Sequence, residues 1–334
     1  MIRIVVDAMG GDHAPACNVE GAVDALQKSE DISVVLAGQA EKIRPLLEGL
    51  SYDASRLSVL DCPEVIETGE SPVFAIQKKR DSSLVRGLRM IREQEADAFV
   101  SCGSTGALLV GGQTIAGRLK GVQRAPLAAV IPTAKGFSLL IDSGANVDVK
   151  AKNLQQYAVM GSLYMKHMFG IEDPSVGLVN IGTEEEKGNA LTREAYPLLA
   201  ATEGIRFIGN AEARDIPEGA ADVLVCEAFT GNVVLKMYEG VAKTLFSQIK
   251  KALKSSALGS IGGLLIKPSL KGLLTTFSAD TKGGAPMLGL NGLVVKAHGN
   301  SKKDQVSTAI LQCLDFGAHD IKDKIRDAIG RLES

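Results

Sequence analysis

The chain has 334 residues, of which 45% are hydrophobic and 23% are charged, and its formal net charge at pH 7 is −2. This length and composition are typical of a globular protein with about two domains or one large α/β unit, and they exclude a disordered chain. The near-zero charge lacks the basic excess of a nucleic-acid-binding protein, so we expect no nucleic acid partner.

Cysteine usage and hydropathy indicate the compartment. The five cysteines, at positions 17, 62, 102, 226 and 313, form no C-x-x-C pair, which argues against a disulfide framework and a zinc site. The N-terminal apolar run stops at Asp7 and does not resemble a signal peptide, and no later run reaches the ~18 apolar residues of a membrane-spanning helix. We therefore expect a cytoplasmic protein that does not cross a membrane.

Short aliphatic runs alternate with helical patterns along most of the chain. In chain order they are IRIVVDA, ISVVLAG, LSVLDC, DAFVSCG, LLIDSG, VGLVNIG, IRFIGN and DVLVCEA. Such runs, ending in Gly, Asp or Ser, are typical of strands buried on both faces, and helices between them indicate parallel crossovers. The sequence therefore predicts an α/β fold.

Glycine-rich loops follow several of these strands. They are DAMGGDHAP (7–15), GSTGA (103–107), DSGANVD (142–148), NIGTEEEKGN (180–189) and EAFTGN (227–232). Each places Gly with Ser, Thr or Asn at a strand-to-helix junction, where backbone N–H groups and the helix dipole can bind an anion. One such loop alone is more often a tight turn with a helix cap, but the set together favours phosphate.

One phrase occurs twice: ADAFVSCGSTGALL (96–109) returns as ADVLVCEAFTGNVV (221–234). Two related strand-Thr-Gly-helix units indicate an internal duplication with two similar half-sites, although chance similarity of common residues stays open. Several known site types are absent from the sequence: it has no G-x-G-x-x-G, no G-K-[ST], no H-E-x-x-H and no G-x-S-x-G. It therefore implies no cofactor and no metal, and it disfavours dinucleotide and nucleoside triphosphate sites.

The loops VDAMGGDHAP, CGSTGAL, DSGANVD, NIGTEEEKGN, FTGNVVLK and VVKAHGNS together resemble the bacterial PlsX family, the acyl-acyl carrier protein:phosphate acyltransferases of phospholipid synthesis. The resemblance runs essentially end to end. It implies transfer of a long-chain acyl group from acyl carrier protein to inorganic phosphate, giving an acyl phosphate. It also implies a three-layer α/β/α fold like the isocitrate and isopropylmalate dehydrogenases, with residues 1–334 in one unit of two intertwined, pseudo-symmetric subdomains.

The same resemblance implies a homodimer with peripheral association to the cytoplasmic membrane, where a downstream glycerol-phosphate acyltransferase consumes the product. For catalysis, Lys187 in EEEKGN and Asn232 in FTGNV match positions regarded as catalytic in the family. Both suit the chemistry, because a phosphate oxygen is already nucleophilic and the enzyme needs only to position it and stabilise an oxyanion. By spacing alone, Lys187 is better explained as a solvated charge beside Glu184 to Glu186, and Asn232 is equally well explained as a helix cap.

The other candidate residues lie in the remaining loops. For phosphate or substrate binding they are Asp7, Gly10, Gly11, Asp12, His13, Ser104, Thr105, Gly106, Thr230, Gly231 and His298. A lone His in a loop is more often structural than a general acid, so His13 and His298 are the weakest of these. Cys102 and Cys226 end predicted strands, yet we expect small buried residues there and no covalent acyl-enzyme.

Two basic surfaces complete the set of predictions. KKRDSSLVRGLRMIR (78–92) carries Lys78, Lys79, Arg80, Arg86, Arg89 and Arg92, which suits docking of an acidic carrier protein or an ordinary solvated helix face. Residues 240–279 contain no acidic residue and predict a projecting basic amphipathic hairpin with its tip at 259–265. Its apolar stripes, flanked by lysines, fit anionic lipid, a dimer partner or the core.

Three other functions remain open at this stage. A phosphotransacetylase-like enzyme that uses acetyl-coenzyme A would share fold and mechanism. A dehydrogenase of the same fold would need clustered carboxylates for a divalent metal, for which Asp142 and Asp148 are candidates. A non-catalytic scaffold that binds acyl carrier protein at the membrane would keep the basic surfaces and not need Lys187 or Asn232.

Overall fold

In a computed structural model, the structure describes residues 1–256, 258–266 and 283–333. The strands are β1 Ile2–Asp7, β2 Ile32–Gly38, β3 Leu57–Asp61, β4 Ala98–Ser101, β5 Ala128–Thr133, β6 Gly136–Ile141, β7 Ser175–Asn180, β8 Arg206–Glu212, β9 Val223–Val225, β10 Ala285–Met287 and β11 Leu293–Lys296. The helices are α1 Ala16–Lys28, α2 Ala40–Leu47, α3 Pro72–Lys78, α4 Ser83–Arg92, α5 Thr105–Gly111, α6 Ala151–Phe169, α7 Ala190–Ala200, α8 Ala228–Lys254, α9 258–266, α10 Lys303–Ala318 and α11 Ile321–Glu333. A π-helical turn, Gly112–Ala116, follows α5, and a 3₁₀ segment, Ala213–Glu218, follows β8.

The strands form two sheets. The first has the order β10-β11-β4-β1-β2-β3 and the second the order β5-β6-β9-β7-β8. Neighbouring strands are parallel except for the pairs β10–β11 and β5–β6 at the sheet edges. Helical crossovers between parallel strands place the following loops at the carboxyl edge of each sheet, where ligands bind in folds of this class.

Helices cover both faces of each sheet, as alternation of buried residues along a strand requires. In β1, Ile4 packs into one hydrophobic cluster and Val5 into another on the opposite face. In the second sheet, Leu139 of β6 joins the same cluster as Ile4, while Leu140 packs under α8. The α/β prediction is therefore confirmed, with a central apolar layer that includes Tyr157 of α6 and is shared by both sheets.

Every strand that the sequence predicted is present, but three strands were missed. β5 and β10 are edge strands that contain a proline, Pro132 and Pro286, which removes a backbone donor and weakens the strand pattern. β11 has only four residues and gives little periodicity to detect. The missed strands explain why the sequence did not show that each sheet has an antiparallel edge.

The predicted hairpin is described only in part. Its first stripe, which includes Leu245 and Leu253, lies on α8, a helix that begins at Ala228, well before the predicted start at residue 240. Residues 259–265, the predicted tip, are helical in α9, and the missing Cβ of Gly259 allows close approach to the Leu253 carbonyl. Of the second stripe, Ile266 is the last described residue of α9 and is exposed. The other members and the neighbouring lysines lie outside the described residues: Lys267, Leu270, Lys271, Leu273 and Leu274.

Within residues 1–256, 258–266 and 283–333, no helix has both the length and the apolar character needed to cross a membrane. In the same ranges, no group of three or more His, Cys, Asp or Glu side chains is arranged to hold a metal ion.

Candidate active site

Three of the predicted loops meet at the carboxyl edge of the second sheet, after β6, β7 and β9. They are DSGANVD (142–148), NIGTEEEKGN (180–189) and EAFTGN (227–232). The first and the last are joined by hydrogen bonds: Ala228 N donates to the Asn146 carbonyl at 3.0 Å, and Asn232 Nδ2 donates to the Ser143 carbonyl at 3.2 Å. The fold therefore brings Lys187 and Asn232 to the same edge of one sheet.

Asp142 organises the loop after β6. Its buried carboxylate accepts hydrogen bonds of 2.8–3.1 Å from the backbone N–H groups of Leu127, Gly144, Ala145 and Asn146 and from the Asn146 side chain. Burial raises the pKa of Asp142, and these donors oppose that shift. Since both carboxylate oxygens already accept N–H donors, Asp142 is not arranged as the metal ligand that a dehydrogenase would need.

The loop that carries Lys187 is held by amide side chains. Asn180 Nδ2 donates to the Lys187 carbonyl at 3.1 Å, and Asn210 Nδ2 donates to the Glu184 carbonyl at 2.7 Å. Gly188 follows with φ +99°, and a Cβ there would lie 2.4 Å from Asn180 Oδ1, so the turn requires glycine. The Lys187 side chain itself is exposed on a backbone that these contacts fix in place.

The start of α8 differs from the predicted phosphate cradle. Glu227 caps this helix, and its carboxylate accepts hydrogen bonds from the backbone N–H groups of Phe229 and Thr230 and from the Thr230 hydroxyl. The chain's own carboxylate therefore takes the donors that the sequence suggested for phosphate. Asn232 lies beyond this cap, and because an amide nitrogen carries two protons, its bond to the Ser143 carbonyl leaves a second donor for a ligand.

A cavity of about 420 Å³ lies between the Lys187 loop and the first turn of α8. Gly188 and Asn189, the two residues after Lys187 in the chain, line it on one side, Glu227 and Thr230 line it on the side of α8, and Asn180 lines it at the end of β7. Lys187 and Asn232 themselves are not among its lining residues. Its volume falls in the range of small-molecule sites, and polar groups from several loops converge on it. This cavity is the candidate active site.

Gly231 makes the closest packing contact of α8 with the neighbouring loop. A Cβ at this position would lie 1.9 Å from the Asp142 carbonyl oxygen, whereas a Cβ at Gly240, further along α8, would meet nothing within 4 Å. We expect Gly231→Ala to lower the free energy of unfolding by about 1–3 kcal/mol, because the helix must move away from the loop. Gly240→Ala should raise it by up to about 1 kcal/mol through helix propensity. Urea unfolding of both variants tests this, and equal midpoints would contradict the packing argument.

A second cluster forms at the carboxyl edge of the first sheet, around Asp7. Asp7 is 3% exposed and accepts hydrogen bonds from Ser83 Oγ at 2.6 Å and Ser101 Oγ at 2.7 Å, and burial raises its pKa. A Cβ at Gly10 would lie 2.6 Å from the Gly103 nitrogen, so these two loops touch through glycine. Asp7 therefore anchors the loops from the inside and does not face a substrate.

The same cluster brings the two predicted histidines close together. Asp12 N donates to the Gly299 carbonyl at 2.8 Å, and His13 Nε2 lies 2.6 Å from Asn300 Oδ1. Asn300 N in turn donates to His298 Nδ1 at 3.1 Å. Both histidines are exposed, and both are hydrogen-bonded to the same loop residue, Asn300.

The repeated phrase corresponds to two equivalent junctions, β4–α5 and β9–α8, each inside its sheet. Gly106 and Gly231 both pack tightly, since a Cβ at Gly106 would lie 2.5 Å from Pro72 Cγ. The helix caps differ. Ser104 caps α5 by accepting a hydrogen bond from Ala107 N at 3.4 Å. In the second copy of the repeat, α8 begins two positions earlier than α5 does in the first, and Glu227 is its cap. Thr105 is exposed in the first unit. The loop of Gly11 packs against Cys102, at the end of the same junction.

Lys296, in the stretch VVKAHGNS, was not among the predicted site residues, yet it points into this loop cluster. It ends β11, and its ammonium donates to the backbone carbonyls of Cys102, at 3.3 Å, and Ala297. Burial lowers the pKa of Lys296, while the charges of Asp7 and Asp12 oppose that shift. The sequence offered one signal for this position, a lysine at the end of a short apolar run, LVVK, which places its cation beside the loops at the carboxyl edge of the sheet.

The two strand-end cysteines are poor nucleophiles. Cys102 is 4% exposed, and burial raises the pKa of its thiol to about 11. Burial likewise raises the pKa of Cys226, whose Sγ lies 3.6 Å from the Asp142 carbonyl oxygen. Because the thiolate is the reactive form, neither position suits a covalent acyl intermediate near neutral pH.

The basic segment 78–92 is divided between α3 and α4. Arg86, Arg89 and Arg92 lie on α4, and Arg86 and Arg89 line a polar cavity of about 500 Å³. Lys79 instead pairs with Glu70 at 2.6 Å and donates to a backbone carbonyl, so its charge serves the local structure. The Lys78 ammonium lies 5.6 Å from the ring centre of Phe74. Of the arginines on α4, Arg92 is exposed, whereas Arg86 and Arg89 are half-buried.

The chain is similar over its length to proteins named as phosphate acyltransferases. The sequence model of a family described as "Fatty acid synthesis protein" matches residues 2–324. A protein of Clostridium tetani named "Phosphate acyltransferase" is 46% identical over 333 residues, covering 100% of this chain and 99% of the relative. A protein of the same name from Alkaliphilus oremlandii is 45% identical, covering 99% of this chain and 98% of the relative.

Solved structures with a similar fold are much more distant in sequence. The EutD phosphotransacetylase from Staphylococcus aureus superposes with a TM-score of 0.60 at 17% identity, covering 94% of this chain and 93% of the other. A branched-chain phosphotransacylase from Enterococcus faecalis gives a TM-score of 0.58 at 13% identity, covering 96% of this chain and 100% of the other. At these identities the similarity concerns the fold.

Proposed function

The chain belongs to the PlsX family of phosphate acyltransferases in fatty acid and phospholipid synthesis, and on this premise we propose that it transfers a long-chain acyl group from acyl carrier protein to inorganic phosphate. A phosphate oxygen attacks the thioester carbonyl and forms a tetrahedral oxyanion. The C–S bond then breaks, the thiolate leaves and takes up a proton, and the products are acyl phosphate and the free carrier-protein thiol. No nucleophile from the protein is needed, in keeping with the raised pKa values of Cys102 and Cys226.

The observation that carries this proposal is the cavity between the Lys187 loop and α8. We place phosphate there, with the Lys187 ammonium neutralising its charge and the free N–H of Asn232 donating to phosphate or to the developing oxyanion. Lys187 is carried by a loop that Asn180 holds, and Asn232 by a helix that packs on Asp142. Both groups are therefore presented by rigid backbone, as positioning catalysis requires.

The partners follow from the same proposal. Acyl carrier protein is acidic, and the arginines of α4, of which Arg92 is exposed and Arg86 and Arg89 are half-buried, offer it a complementary surface. We further propose a homodimer that associates peripherally with the cytoplasmic membrane and passes acyl phosphate to a glycerol-phosphate acyltransferase. The basic segment from residue 240 onward is the part of the chain that suits these contacts.

We expect thioester loss from palmitoyl-acyl carrier protein to require inorganic phosphate and to yield acyl phosphate that hydroxylamine traps. Acetyl-coenzyme A serves as the comparison donor. Activity with acetyl-coenzyme A alone would favour the phosphotransacetylase alternative, which the shared fold supports. Absence of turnover with either donor would favour the non-catalytic scaffold.

A further inference from the structure

An apolar groove of about 650 Å³ runs beside the candidate active site. One wall is a face of α8, and the other is the 3₁₀ segment Ala213–Glu218, which contributes Ile216 and Pro217. The Tyr238 hydroxyl donates to the Pro132 carbonyl, which fixes this ring as part of the wall. The groove is thus a shaped channel on a well-packed part of the protein.

The outer rim of the groove is an exposed apolar stripe. Val233, Met237, Val241 and Leu245 follow each other at a spacing of four residues, so they lie on one face of α8. Their exposed fractions are 52%, 65%, 56% and 57%. A continuous row of large apolar side chains in water is unfavourable and marks a surface that binds an apolar partner.

The groove adjoins the cavity of the candidate site, because Ala213 and Val234 line both. From Val234 to Phe246, the last groove residue on α8, the helix rises by about 18 Å at roughly 1.5 Å per residue. The combination is a polar compartment with an apolar channel leading away from it, which matches an acyl thioester with its polar reacting end and its long hydrocarbon tail.

We propose that this groove binds the hydrocarbon chain of the acyl donor and that its length sets the preference for long chains. The inference rests on the proposed function, because it assigns the donor's tail at the same site. It also makes Ala242 a specificity residue, since this small side chain lines the groove partway along its length.

The test fills the groove at Ala242. In Ala242→Phe, we expect turnover of palmitoyl-acyl carrier protein, relative to turnover of butyryl-acyl carrier protein, to fall by at least about tenfold. The added ring would displace several methylene groups of the palmitoyl chain from the groove. Ser247→Phe is the matched control: Ser247 is exposed on the same helix and lies outside the groove, so the ratio should stay at the wild-type value. Val241→Asp, at an exposed position that does not endanger folding, should also lower the ratio.

Binding of a dansyl-labelled fatty acid provides a readout that does not depend on turnover, and the chain has no Trp to interfere with the fluorescence. We expect wild type and Ser247→Phe to bind it and Val241→Asp to bind it at least about tenfold more weakly. Equal binding, or an unchanged chain-length ratio in both groove variants, would overturn the groove assignment. A shift of Val241→Asp to a smaller species in sedimentation, with the ratio unchanged, would assign this face to contact between copies instead. If the wild-type protein binds the labelled fatty acid but turns over neither palmitoyl- nor butyryl-acyl carrier protein, the proposed function is refuted, while the assignment of the groove as a site for an acyl chain is retained.

Discussion

Lys187→Ala is expected to lower phosphate-dependent turnover by about 10²–10³-fold, the cost of removing one group that stabilises developing charge. The side chain is exposed, so its loss should not change the thermal unfolding midpoint. Steady-state kinetics with varied phosphate would show whether the loss lies in phosphate affinity, in the maximal rate or in both. Lys187→Arg should restore only part of the activity, because a planar guanidinium does not reproduce a compact ammonium.

Lys42→Ala is the control for the loss of an exposed lysine charge. Lys42 lies on α2, next to the edge of the first sheet and away from the cavity, and its removal should leave turnover unchanged. If Lys187→Ala retained wild-type turnover with an intact fold, the lysine would be only a solvated charge beside the neighbouring glutamates. The scaffold alternative would then gain support.

Asn232→Asp should be as damaging as the loss of Lys187, although it changes almost no volume. A carboxylate cannot donate a hydrogen bond, and its negative charge repels phosphate, so we expect turnover to fall by about 10²–10³-fold and the KM for phosphate to rise. The side chain also loses its bond to the Ser143 carbonyl, which costs some stability of its own.

Asn291→Asp separates that structural cost from the catalytic effect. Asn291 Nδ2 donates to the Ala116 carbonyl at 3.2 Å, which is the same kind of bond at the same length as that of Asn232. Asn291 lies between β10 and β11 of the first sheet, whereas Asn232 lies beside the second sheet. Both variants should lose similar stability in thermal unfolding, and only Asn232→Asp should lose turnover. Equal turnover in the two variants would remove Asn232 from the proposed mechanism.

Much of the candidate site could be predicted because its signals are local. Glycine-rich loops after aliphatic strands indicate a strand-to-helix junction, and parallel strands place such junctions at one edge. The equivalence of Gly106 and Gly231 was visible in the repeated phrase, and the structure shows both in tight packing contacts. The roles of Asp7 and Glu227 were not visible, because an acidic residue in a loop looks the same whether it faces a ligand, is buried under serines or caps its own helix.

Sequence patterns were enough to predict the α/β class, most of the strands and the loops that carry Lys187 and Asn232, because hydrophobic period and glycine placement depend on neighbouring residues. The folded protein was needed to show which loops share a cavity, that the two sheets share a central apolar layer, and that α8 runs from the candidate site along an apolar groove. These features depend on residues far apart in the chain, such as Ala213 and Val234, whose proximity comes from sheet order and helix packing. Local patterns do not encode that proximity, because the same strand can take any position in a sheet without changing its own sequence.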